Sequence, residues 1–190
     1  MVVDANDREV IEACQRGDYD AFRQLFEAQK DRIYSIALRF SGDKSSAMDI
    51  AQDTFLKLLS SIREFRAEAS FESWLYRIVV NSCLDHQRRK RKLTPLIGNV
   101  VEFLRAPAEN ALHNLLRSEI ERDVQSGVDK LSAEQRIVVV LRYTEGLSYD
   151  QIAQILGCSP GTVASRLNRA HKILERRLAH LRAGRGGTRA

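Results

Sequence analysis

The sequence has few cysteines and no long apolar run, and each shortage excludes a class of protein. Its three cysteines, Cys14, Cys83 and Cys158, are odd in number and form no CxxC pair. This argues against a disulfide framework or a zinc knuckle and favours reduced, buried thiols. No run of about 18 apolar residues occurs, so we expect no membrane insertion. The first residues form an acidic, amphipathic segment without a hydrophobic signal core, which favours the cytoplasm over secretion.

The sequence also lacks any grouping of side chains that suggests catalysis. No cysteine or carboxylate cluster has the spacing of a metal site, and the histidines are scattered. We therefore expect neither an enzyme nor a cofactor, and a helical enzyme acting on a nucleic acid is disfavoured on the same ground. The four histidines are His86, His113, His171 and His180.

Positive charge is concentrated in two places. Residues 86–92 (HQRRKRK) contain five Lys or Arg and no acid, and residues 159–190 contain eight against the single acid Glu175. The formal net charge is only +5, so the rest of the chain is net acidic. Two basic patches on an otherwise acidic protein indicate a polyanionic partner contacted at two points.

Capping residues and glycines divide the sequence into helices, and no convincing strand pattern is present. The β-branched run IVVV at residues 137–140 lies inside a segment that opens with a capping box at Ser132. Apolar residues at helical spacing, Phe26 and Leu59 among them, are predicted to face the core of the first block. The predicted fold class is all-α: two small helical domains joined by a flexible linker, the second containing a helix-turn-helix. The predicted bounds are 1–92, a linker at 93–107, 108–182, and a basic disordered tail at 183–190.

Residues 147–178 carry the pattern of a DNA-reading helix pair. A capping box at Ser148 opens one helix, Gly157 ends it, and Ser159 with Pro160 opens the next. In that second helix, the apolar residues fall on one side and hydrogen-bond donors and cations on the other. Arg and Asn can bond base edges in the major groove, and first-turn amides can hold a phosphate. A plain helical hairpin is the alternative. The predicted DNA contacts are Ser159, Thr162, Ser165, Arg166, Asn168, Arg169, Lys172 and Arg176.

Four stretches together resemble the extracytoplasmic-function (ECF) class of bacterial sigma factors, in the order of that family and over nearly the whole chain. They are "DAFRQLFEAQKDRIYSIALRF", "AMDIAQDTFLKLL", "FRAEASFESWLYRIVVNSCLDHQRRKRK" and "LSAEQRIVVVLRYTEGLSYDQIAQILGCSPGTVASRLNRAHKIL". The resemblance implies a protein that binds core RNA polymerase, through its β′ clamp helices and β flap, and directs it to promoter DNA. An anti-sigma factor is a further expected partner.

The resemblance also implies roles for particular residues. The first domain would read the −10 element and the second the −35 element. The "AMDIAQDTF" helix would dock on the polymerase through Asp49, Gln52, Asp53 and Phe55. The residues implied for the −10 region are Phe65, Arg66, Ser70, Arg77, Asn81, Arg88, Arg89 and Arg91.

Two positions limit what the resemblance says about the −35 sequence. Ala164 stands where relatives often carry a basic residue, and Asn168 occupies a position that varies with promoter class. The alternative function is a helix-turn-helix regulator whose N-terminal helices serve as a sensor or dimerisation module. The basic patch that directly follows the "WLYRIVVN" helix favours the sigma factor.

Overall fold

Helices account for nearly all of the residues described by the computed structural model, which are 5–66, 70–104 and 119–180. These residues contain eight α-helices, one short 3-10 turn and no strand, as the predicted all-α fold class requires. The elements are α1 (Ala5–Gln15), α2 (Tyr19–Ser41), α3 (Lys44–Ser61), the 3-10 turn (Ile62–Glu64), α4 (Phe71–Leu104), α5 (Glu119–Asp129), α6 (Ala133–Tyr143), α7 (Tyr149–Leu156) and α8 (Pro160–Arg177).

Helices α1–α4 form the N-terminal domain, in which α2 packs against α1, α3 and α4. Short polar residues set the starts of two helices: Asp18 accepts hydrogen bonds from the first amides of α2, and Asp43 does so for α3. Gly42 ends α2 in the left-handed conformation, with φ of 78°. The largest side chains buried in this core are Phe40, Ile33, Ile36, Ile50, Leu58, Ile62, Val79 and Val80.

Two of the side chains predicted to face this core do not lie in it. Leu59 is 52% exposed, because α3 turns its opposite face toward α2 and α4. Phe26 is 36% exposed and packs at the edge of the core against Phe55, with ring centroids 4.5 Å apart. Both predictions were wrong because a helical period marks an apolar stripe without fixing how wide a part of it the neighbouring helices cover.

The fourth helix continues well beyond the basic run. It ends at Leu104, so residues 93–104 of the predicted linker are helical and include Pro95. An interior proline removes one backbone donor and disfavours a continuing helix, which is why the sequence predicts a linker there. The remainder of the linker, the predicted start of the second domain at 108 and the predicted tail at 183–190 lie outside the described residues.

Helices α5–α8 form the C-terminal domain, with α6, α7 and α8 packed around Ile137, Leu141, Ile152 and Leu167. The predicted capping box at Ser132 is present: its hydroxyl accepts from the Gln135 amide, and the Gln135 side chain accepts from the Ser132 amide. Strand propensity in IVVV is therefore overridden by a local start signal and by burial.

The described parts of the chain provide no helix that is both long and apolar enough to cross a membrane. Cys14 and Cys83 are buried and Cys158 is half-buried, and all three are free thiols. Burial raises the pKa of Cys83 to about 12 and, with help from the charge of Asp18, raises the pKa of Cys14. Low-pKa reactive thiols need the opposite environment.

Candidate nucleic-acid interface and partner surface

The turn between α7 and α8 is built by residues adjacent in sequence. The Ser148 hydroxyl accepts from the Gln151 amide at 3.2 Å, and the Gln151 side chain accepts from the Ser148 amide at 2.8 Å. Gly157 ends α7 with φ of 61°, and Ser159 then caps α8 through a bond from the Thr162 amide. A capped helix, a left-handed glycine and a second capped helix give a helix-turn-helix.

Helix α8 has the two faces that the sequence predicts. Val163, Leu167 and Ala170 are buried, and Leu174 and Leu178 are half-buried beside them. The other face is exposed and consists of hydrogen-bond donors and cations, which is the composition of a major-groove reading surface, and the acid Glu175 lies at its edge. We call it the reading face: Ser165, Asn168, Arg169, Lys172 and Arg176.

The remaining predicted −35 residues lie beside the reading face. Ser159 is exposed, and its hydroxyl is 3.0 Å from that of Thr162, which is half-buried. Arg166 is half-buried as well, on the side of α8 where its charge reaches Glu134. Ala164 is also half-buried, so a side chain shorter than the basic residue expected from the resemblance is compatible with this position.

An aromatic cluster supports the predicted −10 region. Phe65 lies 5.6 Å from Phe71 and 5.0 Å from Trp74, measured between ring centroids. Trp74 is half-buried against the core, so it stiffens the base of the loop rather than standing free as a stacking platform. Arg66 and Ser70 flank the loop and are exposed, and residues 67–69 between them lie outside the described residues.

On α4, the predicted polar contacts face different surroundings. Asn81 and Arg77 are both exposed, and the Arg77 guanidinium donates to the Gln154 carbonyl of the C-terminal domain at 3.0 Å. In the basic run, Arg88 pairs with Asp85 at 3.3 Å, and Arg89 pairs with Asp53 on α3. Arg91 is exposed. The contact between Asp53 and Arg89 joins a residue that the sequence assigns to polymerase binding with one that it assigns to the −10 region of DNA.

Helix α3 presents an exposed face that is both polar and apolar. Asp49 and Gln52 are exposed, and Asp53 and Phe55 are half-buried. The sequence-based prediction missed the large apolar side chains beside them, Met48 (60% exposed), Leu56 (59%) and Leu59 (52%).

These apolar residues share the α3 face with Gln52, because they follow one another at intervals of about one or two helical turns. Contiguous exposed apolar side chains mark protein–protein contact sites. The sequence does contain a sign of this exposed surface, because the apolar stripe of α3 is wider than one buried face needs. We call this surface the α3 face: Met48, Asp49, Gln52, Asp53, Phe55, Leu56 and Leu59.

The described residues hold no group of three or more His, Cys, Asp or Glu placed to bind a metal ion. The helix-turn-helix with its reading face, and a second domain bearing its own basic run, are features of a DNA-binding protein. Two family models match the chain: sigma-70 region 2 over residues 25–93, and sigma-70 region 4 over residues 121–174.

The relatives agree with the family models. The RNA polymerase sigma-H factor of Pseudomonas aeruginosa is 32% identical over 95% of this chain and 98% of its own length. The ECF RNA polymerase sigma-E factor of Haemophilus influenzae is 31% identical over 95% of this chain and all of its own length. The chain belongs to the ECF class of RNA polymerase sigma factors.

A solved structure of the sigma factor RpoE from Bartonella quintana, in complex with the anti-sigma factor NepR, has a similar fold. Its TM-score is 0.62 at 25% identity, covering 83% of this chain and 96% of the other. The match over residues 25–93 falls on the helices that a conventional regulator would use as a sensor or dimerisation module, so that alternative is set aside.

Proposed function

We propose that this chain is an ECF-type sigma factor that binds core RNA polymerase and directs it to promoters with the −10 and −35 elements that it reads. The helix-turn-helix reads the −35 element, and the N-terminal domain reads and helps to melt the −10 element. The observation that carries the proposal is the reading face of α8, in a chain that matches sigma-70 regions 2 and 4 in order.

On the −35 side, we assign base contacts to Asn168 and Arg169 and backbone contacts to residues around them. Asn bonds adenine and Arg bonds guanine through two donor–acceptor pairs each, which is how a helix in the major groove distinguishes base pairs. Lys172 and Arg176 lie farther along the helix and suit phosphates, as do Thr162 and Ser159 at its capped N-terminus.

On the −10 side, we assign single-stranded DNA to the loop that Phe65 and Ser70 flank, and to Asn81 on the exposed side of α4. Unpaired bases are held by shape, stacking and edge contacts. The packed rings of Phe65, Phe71 and Trp74 fix the positions of the described residues at the two ends of this loop. Arg77, Arg88, Arg89 and Arg91 lie along α4 and follow phosphates by charge.

The α3 face is the surface that we assign to core polymerase. Asp49 and Gln52 supply charge and amide groups, and Met48, Leu56 and Leu59 supply apolar area that water would otherwise cover. Apolar area at the centre with polar groups at the rim is the usual anatomy of a protein–protein contact.

A run-off transcription assay with purified core polymerase tests the proposal directly. We expect the chain to co-purify with core and to give discrete start sites from a genomic promoter library. Core alone, and core with the chain denatured beforehand, are the controls. The proposal fails if the chain neither binds core nor selects start sites.

Three further assignments depend on the proposed function. We infer that the chain acts in the cytoplasm, where polymerase and promoters are, and that it supplies no catalytic group of its own because the polymerase performs the chemistry. We also infer an anti-sigma partner, because the Bartonella relative is held in such a complex. A pull-down from native cells, with release of bound polymerase as the second readout, tests that partner.

A further inference from the structure

One side chain of α1 reaches the start of the loop that is assigned to −10 DNA. The side-chain amide of Gln15 donates to the Phe65 carbonyl at 2.8 Å and to the Ile62 carbonyl at 3.3 Å. A glutamine amide nitrogen has two hydrogens, so these two bonds use both of them. Gln15 lies outside residues 25–93, over which the sigma-70 region 2 model matches. The family match therefore assigns no function to this contact.

The two carbonyls lie where the chain stops being helical. The Phe65 amide donates to the Ile62 carbonyl at 3.2 Å, which closes the 3-10 turn, and Phe65 itself has an extended backbone. The Phe65 carbonyl follows the last helical residue, where no amide of a further turn can bond it. Gln15 supplies a donor in place of that turn. It therefore fixes the direction in which the chain leaves Phe65 toward Arg66.

Helix α1 is a firm base for this contact. Its Ile11 and Cys14 are only 6% and 4% exposed, and the helix packs against α2 and the 3-10 turn. The turn after α1 also fits closely: Gly17 has φ of 88°, and a Cβ added there would lie 3.1 Å from Nη2 of Arg63. Gln15 is half-buried, which partly shields its hydrogen bonds from water. The carbonyls are therefore held by a side chain of a packed helix.

Phe65 is also held from the opposite side, by α4. Its ring lies 5.6 Å from that of Phe71 and 5.0 Å from that of Trp74, measured between centroids. At the other end of the loop, the Ser70 hydroxyl accepts a hydrogen bond from the Ser73 amide at 3.2 Å in the first turn of α4. Phe65 therefore joins α1, through its backbone, to α4, through its ring.

A fixed loop edge favours the binding of single-stranded DNA. Taking a base out of the duplex stack costs free energy, which contacts with the protein must offset. A surface that has to be ordered when the base arrives loses part of its binding energy, whereas a surface fixed beforehand keeps it. Arg66 directly follows the bonded Phe65 carbonyl and is exposed. A shift of the Phe65 backbone therefore moves a predicted −10 contact.

We propose that Gln15 is a positioning residue for the −10 element. Its amide holds the Phe65 backbone, and with it the Arg66 end of the loop, in the place that an unpaired base requires. This inference rests on the proposed reading of the −10 element by the N-terminal domain. It adds α1 to the parts of the chain that determine the −10 preference.

Four full-length variants separate the hydrogen bonds from charge and stability. Gln15→Met keeps an uncharged side chain of similar length but removes both donors. Gln15→Lys restores a donor, and Gln24→Lys is its matched charge control, because Gln24 is an exposed glutamine of α2. Ile11→Val trims a buried side chain of α1 and retains Gln15, so it reports what a loss of stability alone does.

The first readout needs neither DNA nor polymerase. Trp74 is the single tryptophan of the chain and lies against Phe65, so its fluorescence reports on the position of that residue. We expect acrylamide to quench Trp74 more strongly in Gln15→Met than in wild type, because Phe65 is no longer held against it. The other three variants should match wild type. Equal quenching of Gln15→Met and wild type would overturn the proposal.

The second readout is base preference at the promoter. Holoenzyme made with each variant is assayed on single-base variants of the −10 element and of the −35 element. We expect Gln15→Met to relax the −10 preference roughly fivefold, as the loss of an ordinary hydrogen bond gives, and to leave the −35 preference unchanged. Gln15→Lys should regain the −10 preference, and Ile11→Val should keep both preferences.

Three results would contradict the positioning role. They are relaxation at both elements, the same relaxation in Ile11→Val, and a Gln15→Lys variant that behaves like Gln15→Met. If wild type selects no start sites with core polymerase, the proposed function fails instead. The quenching of Trp74 then decides by itself whether Gln15 positions Phe65.

Discussion

Specificity at the residue scale depends on which cations of α8 contact bases and which contact phosphates. Arg169 lies on the reading face, between Asn168 and Lys172 in sequence, and is exposed. A bidentate contact from arginine to guanine is the commonest specific contact in the major groove. An arginine that contacts phosphate strengthens binding to every sequence equally. The two roles therefore differ in how a substitution changes sequence preference.

We predict that Arg169→Ala costs about 1–3 kcal/mol of binding free energy at one −35 base pair and relaxes the preference there. The measurement is promoter binding by holoenzyme across a set of single-base −35 variants. Arg177→Ala is the control, because Arg177 is an exposed cation of the same helix beside the buried stripe. Uniform weakening across all variants would assign Arg169 to phosphate.

The pKa of Cys83 gives a second residue-scale prediction. Burial raises this pKa to about 12, so between pH 9 and pH 12 the thiol ionises in the unfolded chain and stays protonated in the folded one. The unfolded state then binds fewer protons, and the free energy of unfolding falls as the pH rises. We expect wild type to lose about 1 to 1.5 kcal/mol relative to Cys83→Ala between pH 8 and pH 10. Parallel denaturant curves for the two proteins measure it, and an unchanged difference would contradict it.

At the element scale, the conformation of Gly157 is what separates α7 from α8. Its φ is 61°, and an added Cβ would meet no atom within 4 Å, so a substitution here changes backbone strain and nothing else. We predict that Gly157→Ala lowers the free energy of unfolding by about 1 kcal/mol and that Gly157→Asn costs less, since asparagine tolerates this conformation. Urea unfolding followed by helical signal measures both. Equal losses for the two variants would assign the cost to something other than φ.

The α3 face gives the second element-scale prediction. Asp49→Lys combined with Gln52→Ala reverses a charge and removes an amide on an exposed surface, so we expect helix content and unfolding to change little. We expect binding to core polymerase to be lost, because the double variant reverses one charge and removes one hydrogen-bonding amide within the same interface. Co-sedimentation with core measures it. Glu9→Lys, on the exposed side of α1, is the matched charge control, and unchanged binding by the double variant would remove the α3 face from the polymerase contact.

Local signals explain why so much of this fold is readable from the sequence. Both capping boxes, the left-handed Gly157 and the stripe of Val163, Leu167 and Ala170 are encoded by neighbours within one or two turns. Contacts between the domains depend on tertiary geometry instead. Arg136 lies in an amphipathic helix as an ordinary charge would, yet it is 7% exposed against the Phe40 carbonyl. The exposure of Leu59 could not be predicted from the sequence for the same reason, since it depends on where α2 and α4 cross α3.

At the scale of the whole molecule, the two basic surfaces belong to different domains, and under the proposed function they contact separate promoter elements. Energies at such separated sites add when no partner is shared. We therefore predict that Arg88→Ala and Lys172→Ala each reduce the salt slope of holoenzyme–promoter binding by about one released counterion. Each should also weaken binding to every promoter to a similar extent.

The double variant then decides whether the two surfaces act independently. We expect its loss in binding free energy to equal the two single losses together, within about 0.5 kcal/mol. Binding isotherms at four or five salt concentrations, for wild type, both single variants and the double variant, supply the slopes and the energies. Arg88 is 73% exposed and, among the described residues, forms its ion pair with Asp85 of its own helix, so its loss leaves the domain core untouched. A shortfall from additivity would mean that the domains remain in contact on the promoter, and the separated two-element contact would then be wrong.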